Sequence, residues 1–542
     1  MWKRIDFWLI LLILICLIPL RDFFHPGLPL THDGQDHVAR IANFYQSLSE
    51  GNIIPRWAAN LNWGYGHPIL MFLYPLPSSL ASFFKFLGFN FVDSTKAVFV
   101  LSFILSSVFM YLWLKEIWGK KAGFMGGLLY TFAPYRFVDL YVRGAIGESL
   151  AFVWPPLILY FAFRLSQEQK WAYLVGGGLS LACLILSHNA LSLMFLLIVF
   201  GYIAYLILSS NKKFLFIIYY SLFIIFGFSI SAFFWLPAFL EGKYTLRDIV
   251  TKGNIVGFES FARLVYSPWS YGGTGGFSVQ LGILQWLGVI LAPFLIWQFW
   301  RKKEKIWLFL LFLFICFLVS IFLILPFSRT LYFKITLLQK FQFAWRWLSL
   351  AIFPPAVFAA AVIYFLPKKF KFFCFCLFII ASLYLNRNFW RARDYLYHPE
   401  YFYTQAYSGT TDTGESAPRW SVRFMEKFPK AHLEVIEGEA KIEEKERKSN
   451  YHEYKIIAKT PTRLVENTLY FPGWKVLIDG KPVEIQFQDP AYRGLMTFNI
   501  SAGEHQIVVQ FGETKLRQFA SLISLGGFTT LFLGYFVLKL KR

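Results

Sequence analysis

Long apolar runs separated by short polar segments are the most regular feature of this chain. The runs have the length that crosses a lipid bilayer, and hydropathy predicts about twelve transmembrane helices. The predicted fold is therefore a polytopic α-helical membrane protein. The predicted spans lie near residues 7–24, 96–114, 122–138, 149–165, 171–187, 190–209, 214–237, 280–299, 306–325, 347–366, 372–388 and 517–538.

Basic residues follow alternate runs, which predicts the orientation of the spans. Lys3 and Arg4 precede the first run, and clusters of Lys and Arg fall in every second loop up to the basic tail. Because cytoplasmic loops carry the excess of positive charge, both termini are predicted in the cytoplasm. Residues 69–88 are long enough to cross, but they contain Pro75 and Pro77, and a further span would move later clusters outside. We therefore predict that 69–88 lies at the outer membrane interface.

The opposite face receives the longer polar segments. These are residues 25–95, 139–148, 241–279 and 389–516. The last alternates apolar and polar residues over several stretches, and Asp479-Gly480 is a two-residue hairpin signal, so a mostly-β, sandwich-like extracytoplasmic domain is expected there. The predicted domains are a transmembrane unit over 1–388, the β domain over 389–516, and a last helix with a basic cytoplasmic tail over 517–542.

Composition supports the membrane assignment and excludes one class of partner. The chain is 56% hydrophobic, 20% aromatic and 16% charged, with a formal net charge of +21. Acids and bases nearly balance in the β region, so the positive excess belongs to the membrane part and indicates no nucleic-acid partner. The five cysteines all fall inside apolar runs, where they form neither a disulfide framework nor a metal site.

Titratable side chains concentrate in THDGQDHVAR, residues 31–40, directly after the first span. Asp33 and Asp36 are three residues apart and would share one face of a helix, with His37 beside them. One interpretation is helix capping, because the helical pattern VARIANFYQSLSE follows; the other is catalysis at the membrane edge, and for Asp33 the two are compatible. A metal site of Asp33, Asp36 and His37 is a further alternative, although its spacing matches no zinc pattern.

Later segments of the same face add arginines and an acid. Arg56 and His67 follow within the first outer loop, and a guanidinium at headgroup depth suits a lipid phosphate. Arg143 and Glu148 lie between two predicted spans, where a buried acid needs a partner or a function. Arg346 stands between two tryptophans, which favours either cation–π packing or binding of an anionic donor. The predicted donor-phosphate and substrate ligands are Arg56, His67, Arg143, Arg346 and His37.

These features together resemble the GT-C fold glycosyltransferases that use polyprenyl-phosphate sugars. More narrowly, HDGQDHVARIANFYQSLSEGNIIPRWAANLNWGYGHPILMFLYPLP is similar to bacterial membrane proteins labelled "6-pyruvoyl-tetrahydropterin synthase-related". The stretches RGAIGE, SHNA, FAWRW, TDTGESAPRW and FPGWKVLIDGK with ISAGEHQIVV add to this, and the last is similar to YfhO-type membrane proteins. The zinc-binding His cluster of a pterin synthase does not occur in the sequence.

The resemblance implies which residues act. An acid of the first outer loop would act at the acceptor or at a metal, which corresponds to Asp33 or Asp36, and an acid of a later loop corresponds to Glu148. The family's paired acids are replaced here by D-G-Q-D-H, which leaves the choice of base open and a divalent cation (Mg or Mn) optional.

The expected function is transfer of a sugar from a polyprenyl phosphate, with inversion, to a lipid, glycan or protein acceptor. The expected place is the outer face of a prokaryotic cytoplasmic membrane, among membrane lipids. The alternatives are a glycolipid transporter or flippase, which would carry ionisable residues within its spans, and a non-catalytic assembly factor for envelope glycans.

Overall fold

The computed structural model describes residues 6–251, 256–272 and 276–540, and it is mostly helical. The first helices are α1 (Phe7–Leu17), α2 (Gly34–Ser49), α3 (Ile69–Phe72), α4 (Leu76–Phe86), α5 (Phe91–Trp118), α6 (Lys120–Thr131), α7 (Pro134–Val138), α8 (Ile146–Ala151), α9 (Trp154–Glu168), α10 (Trp171–Ser187), α11 (Asn189–Ser209) and α12 (Lys213–Ile230). The later helices are α13 (Ala232–Leu240), α14 (Arg247–Thr251), α15 (Phe261–Val265), α16 (Ile283–Arg301), α17 (Ile306–Ile324), α18 (Arg329–Lys334), α19 (Thr336–Gln339), α20 (Leu348–Ala351), α21 (Phe353–Phe365), α22 (Lys368–Asn386), α23 (Tyr401–Thr404) and α24 (Lys515–Leu540).

Within the described residues, ten helical segments are long and apolar enough to cross a membrane, which confirms the polytopic class. They are Phe7–Phe24, Phe91–Trp118, Ile146–Glu168, Asn189–Ser209, Lys213–Ile230, Ile283–Arg301, Ile306–Ile324, Ala344–Phe365, Lys369–Asn386 and Lys515–Phe536. The other two predicted spans form shorter helices. The predicted span 122–138 is interrupted after Thr131, because Pro134 has no amide to continue the ladder and starts a new helix, and α10 has 17 residues.

The segment 69–88 folds into two short helices rather than one long one. Helix α3 has 4 residues and α4 has 11. Eleven residues rise about 16 Å, roughly half of a hydrocarbon core of about 30 Å. Neither helix is therefore long enough to span a bilayer, in agreement with the prediction that this segment does not cross.

The C-terminal β region consists of two antiparallel sheets. The strands are β1 (Leu28–Pro29), β2 (Tyr395–Leu396), β3 (Leu433–Glu437), β4 (Ala440–Lys448), β5 (Tyr451–Ala458), β6 (Thr462–Leu469), β7 (Trp474–Ile478), β8 (Lys481–Val483), β9 (Leu495–Ile500) and β10 (Gly503–Phe511). A five-stranded sheet has the order β4-β5-β10-β7-β8, a three-stranded sheet has the order β3-β6-β9, and a separate pair, β1-β2, links the first outer loop to the start of the region. Asp479 and Gly480 both have positive φ in the hairpin between β7 and β8, as the sequence predicted.

The two sheets share one apolar core that extends into the first outer loop. Ile456 and Ile507 come from the larger sheet and Phe498 from the smaller one, and all three are buried in the same cluster. Trp57 of the loop belongs to this cluster and meets Trp474 edge-to-face at 5.4 Å between ring centroids. The β region therefore holds the loop that follows α2 against the helices.

Candidate active site

The start of α2 is fixed against the segment that joins α7 to α8. The amides of His32 and Asp33 donate to the carbonyls of Val142 and Arg143, both at 2.9 Å. Gly144 permits this close approach, because it has φ +66° and a Cβ there would lie 2.3 Å from Thr31 Oγ1. The backbone therefore places the side chains of Asp33 and Arg143 in the same region.

Asp33 presents a carboxylate that the protein leaves free. The hydroxyl of Thr31, not Asp33, accepts the Gly34 amide at 3.1 Å, so the predicted capping role of the Asp33 side chain is not observed. Asp33 is solvent-exposed, and its carboxylate accepts no hydrogen bond from any residue within 6–251, 256–272 and 276–540. Surrounding protein raises the pKa of Asp33 by desolvation, and the charges of Arg143 and Arg40 act in the opposite direction.

Asp36 has a different environment from Asp33. Its Oδ1 accepts a hydrogen bond from the Tyr407 hydroxyl at 2.7 Å, and that hydroxyl accepts one from Gln35 at 3.0 Å. Asp36 therefore anchors the segment that precedes the β sheets, and neither predicted aspartate caps α2 through its side chain.

Glu148 is buried between two arginines. Its Oε1 accepts from Arg143 Nη2 at 2.8 Å and from Arg346 Nε at 3.0 Å, and its Oε2 accepts from the Tyr135 hydroxyl at 2.9 Å. Only 1% of the residue is exposed. Arg143 has a second carboxylate partner, Asp139, at 2.7 Å. Because its oxygens are already occupied, Glu148 is built to hold two guanidinium groups in place rather than to accept a proton.

Arg346 makes the cation–π contact that was one of its two interpretations, and acceptors of the protein bind its guanidinium. Besides Glu148, it donates through Nη1 to the Phe341 carbonyl at 2.7 Å and to Gln342 Oε1 at 3.1 Å. Its guanidinium also lies 5.8 Å from the centroid of the Trp345 ring. The guanidinium of Arg143 lies 4.6 Å from the centroid of the same ring. Both arginines are therefore fixed by an acid and an aromatic ring.

Arg40 is the cation that sequence analysis missed. Arg40 is buried. Its Nε donates to Thr411 Oγ1 at 3.2 Å, and its Nη2 donates to the Thr411 carbonyl. Its Nη1 lies 3.1 Å from His37 Nδ1. Burial and the charge of Arg40 hold the pKa of His37 well below its usual value, so this histidine is neutral. Among the residues that the structure describes, no carboxylate lies within ion-pair distance of Arg40.

Residues 410–416, which include the start of TDTGESAPRW, close this region from the side of the β domain. Asp412 accepts the amides of Gly414 at 2.8 Å and Ser416 at 3.0 Å, and its Oδ1 lies 3.5 Å from His67 Nε2. Glu415 accepts from Gln342 at 2.8 Å, and burial raises the pKa of its carboxyl. His67 therefore contacts residues 410–416 through Asp412.

Tyr74 and His188 form the wall opposite the loop. Their rings stack at 4.9 Å, and the close approach of Tyr74 requires Gly147, where a Cβ would lie 2.2 Å from the Tyr74 ring. The Tyr74 hydroxyl has no hydrogen-bond partner in the described chain, although the charges of Arg40 and Glu148 both act on it. In the sequence, the motif SHNA pointed to His188 but gave no indication of its partner Tyr74.

The structure places most of the predicted residues in one network. Arg56 lies outside it, because its Nε donates to Glu513 Oε1 at 2.7 Å and its Nη1 to the Phe233 carbonyl at 3.2 Å, at the junction with the β domain. The predicted residues that meet in or beside the network are Asp33, Asp36, His37, His67, Arg143, Glu148 and Arg346.

The predicted metal ligands do not fit a bound ion. In the described part of the chain, no three His, Cys, Asp or Glu side chains form a group that could hold one. His37 is engaged with Arg40, and Asp36 with the Tyr407 hydroxyl. The arrangement instead offers one accessible carboxylate next to several fixed guanidinium groups, which suits proton transfer beside a bound anion.

No protein-family model matches the chain. An uncharacterized protein of Lactococcus lactis subsp. cremoris (strain MG1363) is 24% identical over 215 residues, which are 38% of this chain and 34% of that protein. The chain thus spans about a third of that relative's length.

Two solved structures are similar. One is the apo crystal structure of the Archaeoglobus fulgidus oligosaccharyltransferase, with 13% identity, a TM-score of 0.43, and coverage of 77% of this chain and 62% of that one. The other is the arabinofuranosyltransferase AftD from Mycobacteria, with 12% identity, a TM-score of 0.45, and coverage of 70% and 27%. At TM-scores this low, neither similarity carries an argument about the reaction.

Proposed function

We propose that the protein is a GT-C type membrane glycosyltransferase that transfers a sugar from a polyprenyl phosphate to a lipid, glycan or protein acceptor at the extracytoplasmic face. The observation that carries the proposal is the accessible carboxylate of Asp33, which accepts no hydrogen bond from the described residues and lies in the field of Arg143 and Arg40. The GT-C resemblance of the sequence around it agrees with this role.

Asp33 is the proposed base. The acceptor hydroxyl oxygen attacks the anomeric carbon and forms the new glycosidic bond, while the bond from that carbon to the phosphate oxygen breaks on the opposite face. The electron pair leaves with the polyprenyl phosphate, and the hydroxyl proton goes to Asp33. A pKa raised through desolvation by the surrounding protein makes Asp33 a stronger base than an ordinary aspartate, and positioned proton transfer contributes about 10²–10⁴-fold to rate.

The arginines are the proposed partners of the phosphate. Arg40 is a buried cation that the described chain leaves without a carboxylate, and an anion bound beside it would offset the cost of its burial. Arg143 and Arg346 are held by Glu148 and need no rearrangement as negative charge grows on the leaving group. Glu148 is in this proposal a positioning residue and not a second catalytic acid.

The test measures release of polyprenyl phosphate. Purified protein in lipid nanodiscs is incubated with a panel of polyprenyl-phosphate sugars and a crude envelope acceptor fraction. Asp33→Asn is compared with Glu484→Gln, a neutralised carboxylate that is exposed beside β8 and makes no side-chain interaction in the described chain. We expect Asp33→Asn to lose about 10²–10⁴-fold of the rate and the control to lose none.

Two results would contradict this function. One is full activity in Asp33→Asn. The other is the absence of release by folded wild-type protein with every donor, which would favour the transport or assembly alternatives. Melting temperatures of all variants establish that they are folded.

A further inference from the structure

A mainly apolar pocket that contains three carboxamides opens next to the start of α16, outside the charged network. It has a volume of about 160 Å³, room for about five water molecules, and it is partly open to the outside. None of its lining residues carries a charge. The lining residues include Gln280, Gln285, Asn386, Tyr266, Phe389 and Gly282.

Three buried carboxamides line this pocket with unused hydrogen-bonding atoms. Gln280 is 7% exposed, and its side chain has no hydrogen-bond partner within 6–251, 256–272 and 276–540. Gln285 donates to the Leu129 carbonyl at 3.1 Å and Asn386 to the Phe132 carbonyl at 3.1 Å, but in the same residues nothing donates to the oxygens of either amide. These amide atoms are reachable from the pocket, so a polar ligand there could donate to the free oxygens and accept from the Gln280 amide.

Aromatic side chains form the walls above these amides. Phe389 stacks one face on Trp269 at 4.7 Å between centroids, and Tyr266 is 69% exposed at the rim. At the floor, Gly282 has φ +109°, and a Cβ there would lie 2.2 Å from Gln285 Oε1. Glycine at this position keeps the amide oxygen accessible to the pocket.

The chemistry of the pocket selects its ligand. A carboxamide both donates and accepts, which matches hydroxyl groups, and an aromatic ring offers an apolar face to the C–H side of a sugar ring. The absence of charged lining residues disfavours a phosphate or an ammonium group. We propose that this pocket binds one neutral sugar ring of a saccharide.

The pocket lies on the same side of the protein as Asp33. The loop that carries Tyr266 also carries Tyr271, whose carbonyl lies 2.9 Å from His32 Nε2, next to Asp33. Pro134, another lining residue, directly precedes Tyr135, the hydroxyl partner of Glu148. A saccharide held here would lie beside the charged network, but its binding requires no catalysis by Asp33.

The test is saturation-transfer difference NMR with methyl glycosides of glucose, galactose, mannose and rhamnose on the full-length protein in nanodiscs. Gln280→Leu removes the unpartnered amide with little change in volume, and Tyr266→Ala removes an exposed wall without loss of packing. The matched control is Gln298→Leu, the same substitution near the other end of α16, where the side chain makes no hydrogen bond in the described chain.

We expect saturation transfer to at least one glycoside in the wild type, a loss of at least tenfold in affinity in Gln280→Leu and Tyr266→Ala, and no change in Gln298→Leu. Binding should persist in Asp33→Asn, which separates this proposal from that of the reaction. An absence of transfer to all four glycosides, or equal transfer in Gln280→Leu and the wild type, would overturn it and leave the pocket as a water site.

Discussion

The amide of Asp33 donates to the carbonyl of Arg143 at 2.9 Å, and together with the bond from His32 to Val142 it joins the first outer loop to the segment that carries the arginine. It fixes an accessible carboxylate beside a buried guanidinium whose own acid partners are Asp139 and Glu148. The carboxylates of Asp33 and Glu148, which sequence analysis treated as alternatives, therefore have different environments. Substitution of each should have a different effect on the protein.

Glu148→Gln should destabilise the protein, whereas Asp33→Asn should not. Removing the charge of Glu148 leaves Arg143 and Arg346 buried without their shared partner, and breaking a buried ion pair costs about 3–5 kcal/mol. Within the described residues, the Asp33 side chain makes no hydrogen bond that its substitution would break. Thermal unfolding in detergent should show a lower melting temperature for Glu148→Gln alone. Equal melting temperatures would argue against the bridging role.

Arg40→Gln should weaken binding of the polyprenyl-phosphate donor about 10- to 100-fold. A hydrogen bond to a charged group contributes about 1.5–3 kcal/mol, and Arg40 is a buried guanidinium that the described protein leaves without a carboxylate. Isothermal titration calorimetry with a polyprenyl phosphate measures this change in affinity. Arg387→Gln is the control, since that side chain is exposed and donates only to the Tyr384 carbonyl at 2.7 Å. Unchanged affinity in Arg40→Gln would place the phosphate elsewhere.

The pH dependence of kcat/KM should show an acid limb at higher pH than an ordinary aspartate gives. Desolvation by the surrounding protein raises the pKa of Asp33. Because the base must be ionised, activity falls as pH drops through that raised pKa. Arg40→Gln removes a positive charge that lowers the pKa, and this limb should then move to still higher pH. A limb that does not move in this variant would contradict the proposed proximity of the two groups.

Gly144→Ala should impair both stability and activity more than Gly88→Ala does. Both glycines have positive φ, but a Cβ at Gly144 would lie 2.3 Å from Thr31 Oγ1, whereas nothing lies within 4 Å of one at Gly88. The control carries the backbone strain, about 1–3 kcal/mol, without the steric overlap. Melting temperature and release of polyprenyl phosphate, measured on both variants, isolate the cost of separating α2 from the loop at Arg143.

The β domain should lose stability in acid through Glu466. Burial raises the pKa of this carboxyl, but the His452 ring, Arg447 and the Tyr454 hydroxyl outweigh it and lower the pKa to about 2. A depressed carboxyl pKa stabilises the fold above the unfolded value of about 4.3, and that contribution disappears as pH falls through 2. The difference in melting temperature between wild type and Glu466→Gln should therefore shrink between pH 5 and pH 2. A constant difference would contradict the assignment.

Local patterns explain what the sequence predicted well. Apolar length and the alternation in 389–516 depend on neighbouring residues alone, so the membrane class and the β region were both predictable. The interruption after Thr131 was missed because the hydropathy of 122–138 masks the effect of Pro134.

The candidate site was predicted less completely because its contacts join distant parts of the chain. Arg40 was overlooked in THDGQDHVAR, since its partner Thr411 is 371 positions away. The pairing of Arg56 with Glu513 was missed for the same reason, because Glu513 lies 457 positions further along. Residue type and spacing give no information about such pairs.

The separation of Arg40 from Thr411 also has a consequence during synthesis. At about 5–20 residues per second, a ribosome needs roughly 20–70 s to translate the 371 positions between them. Throughout that interval the earlier helices can enter the bilayer, while residues 410–416, which close the site, have not yet been translated. A chain still being translated therefore cannot display the finished site, and the timing of its completion is set by the order of the sequence itself.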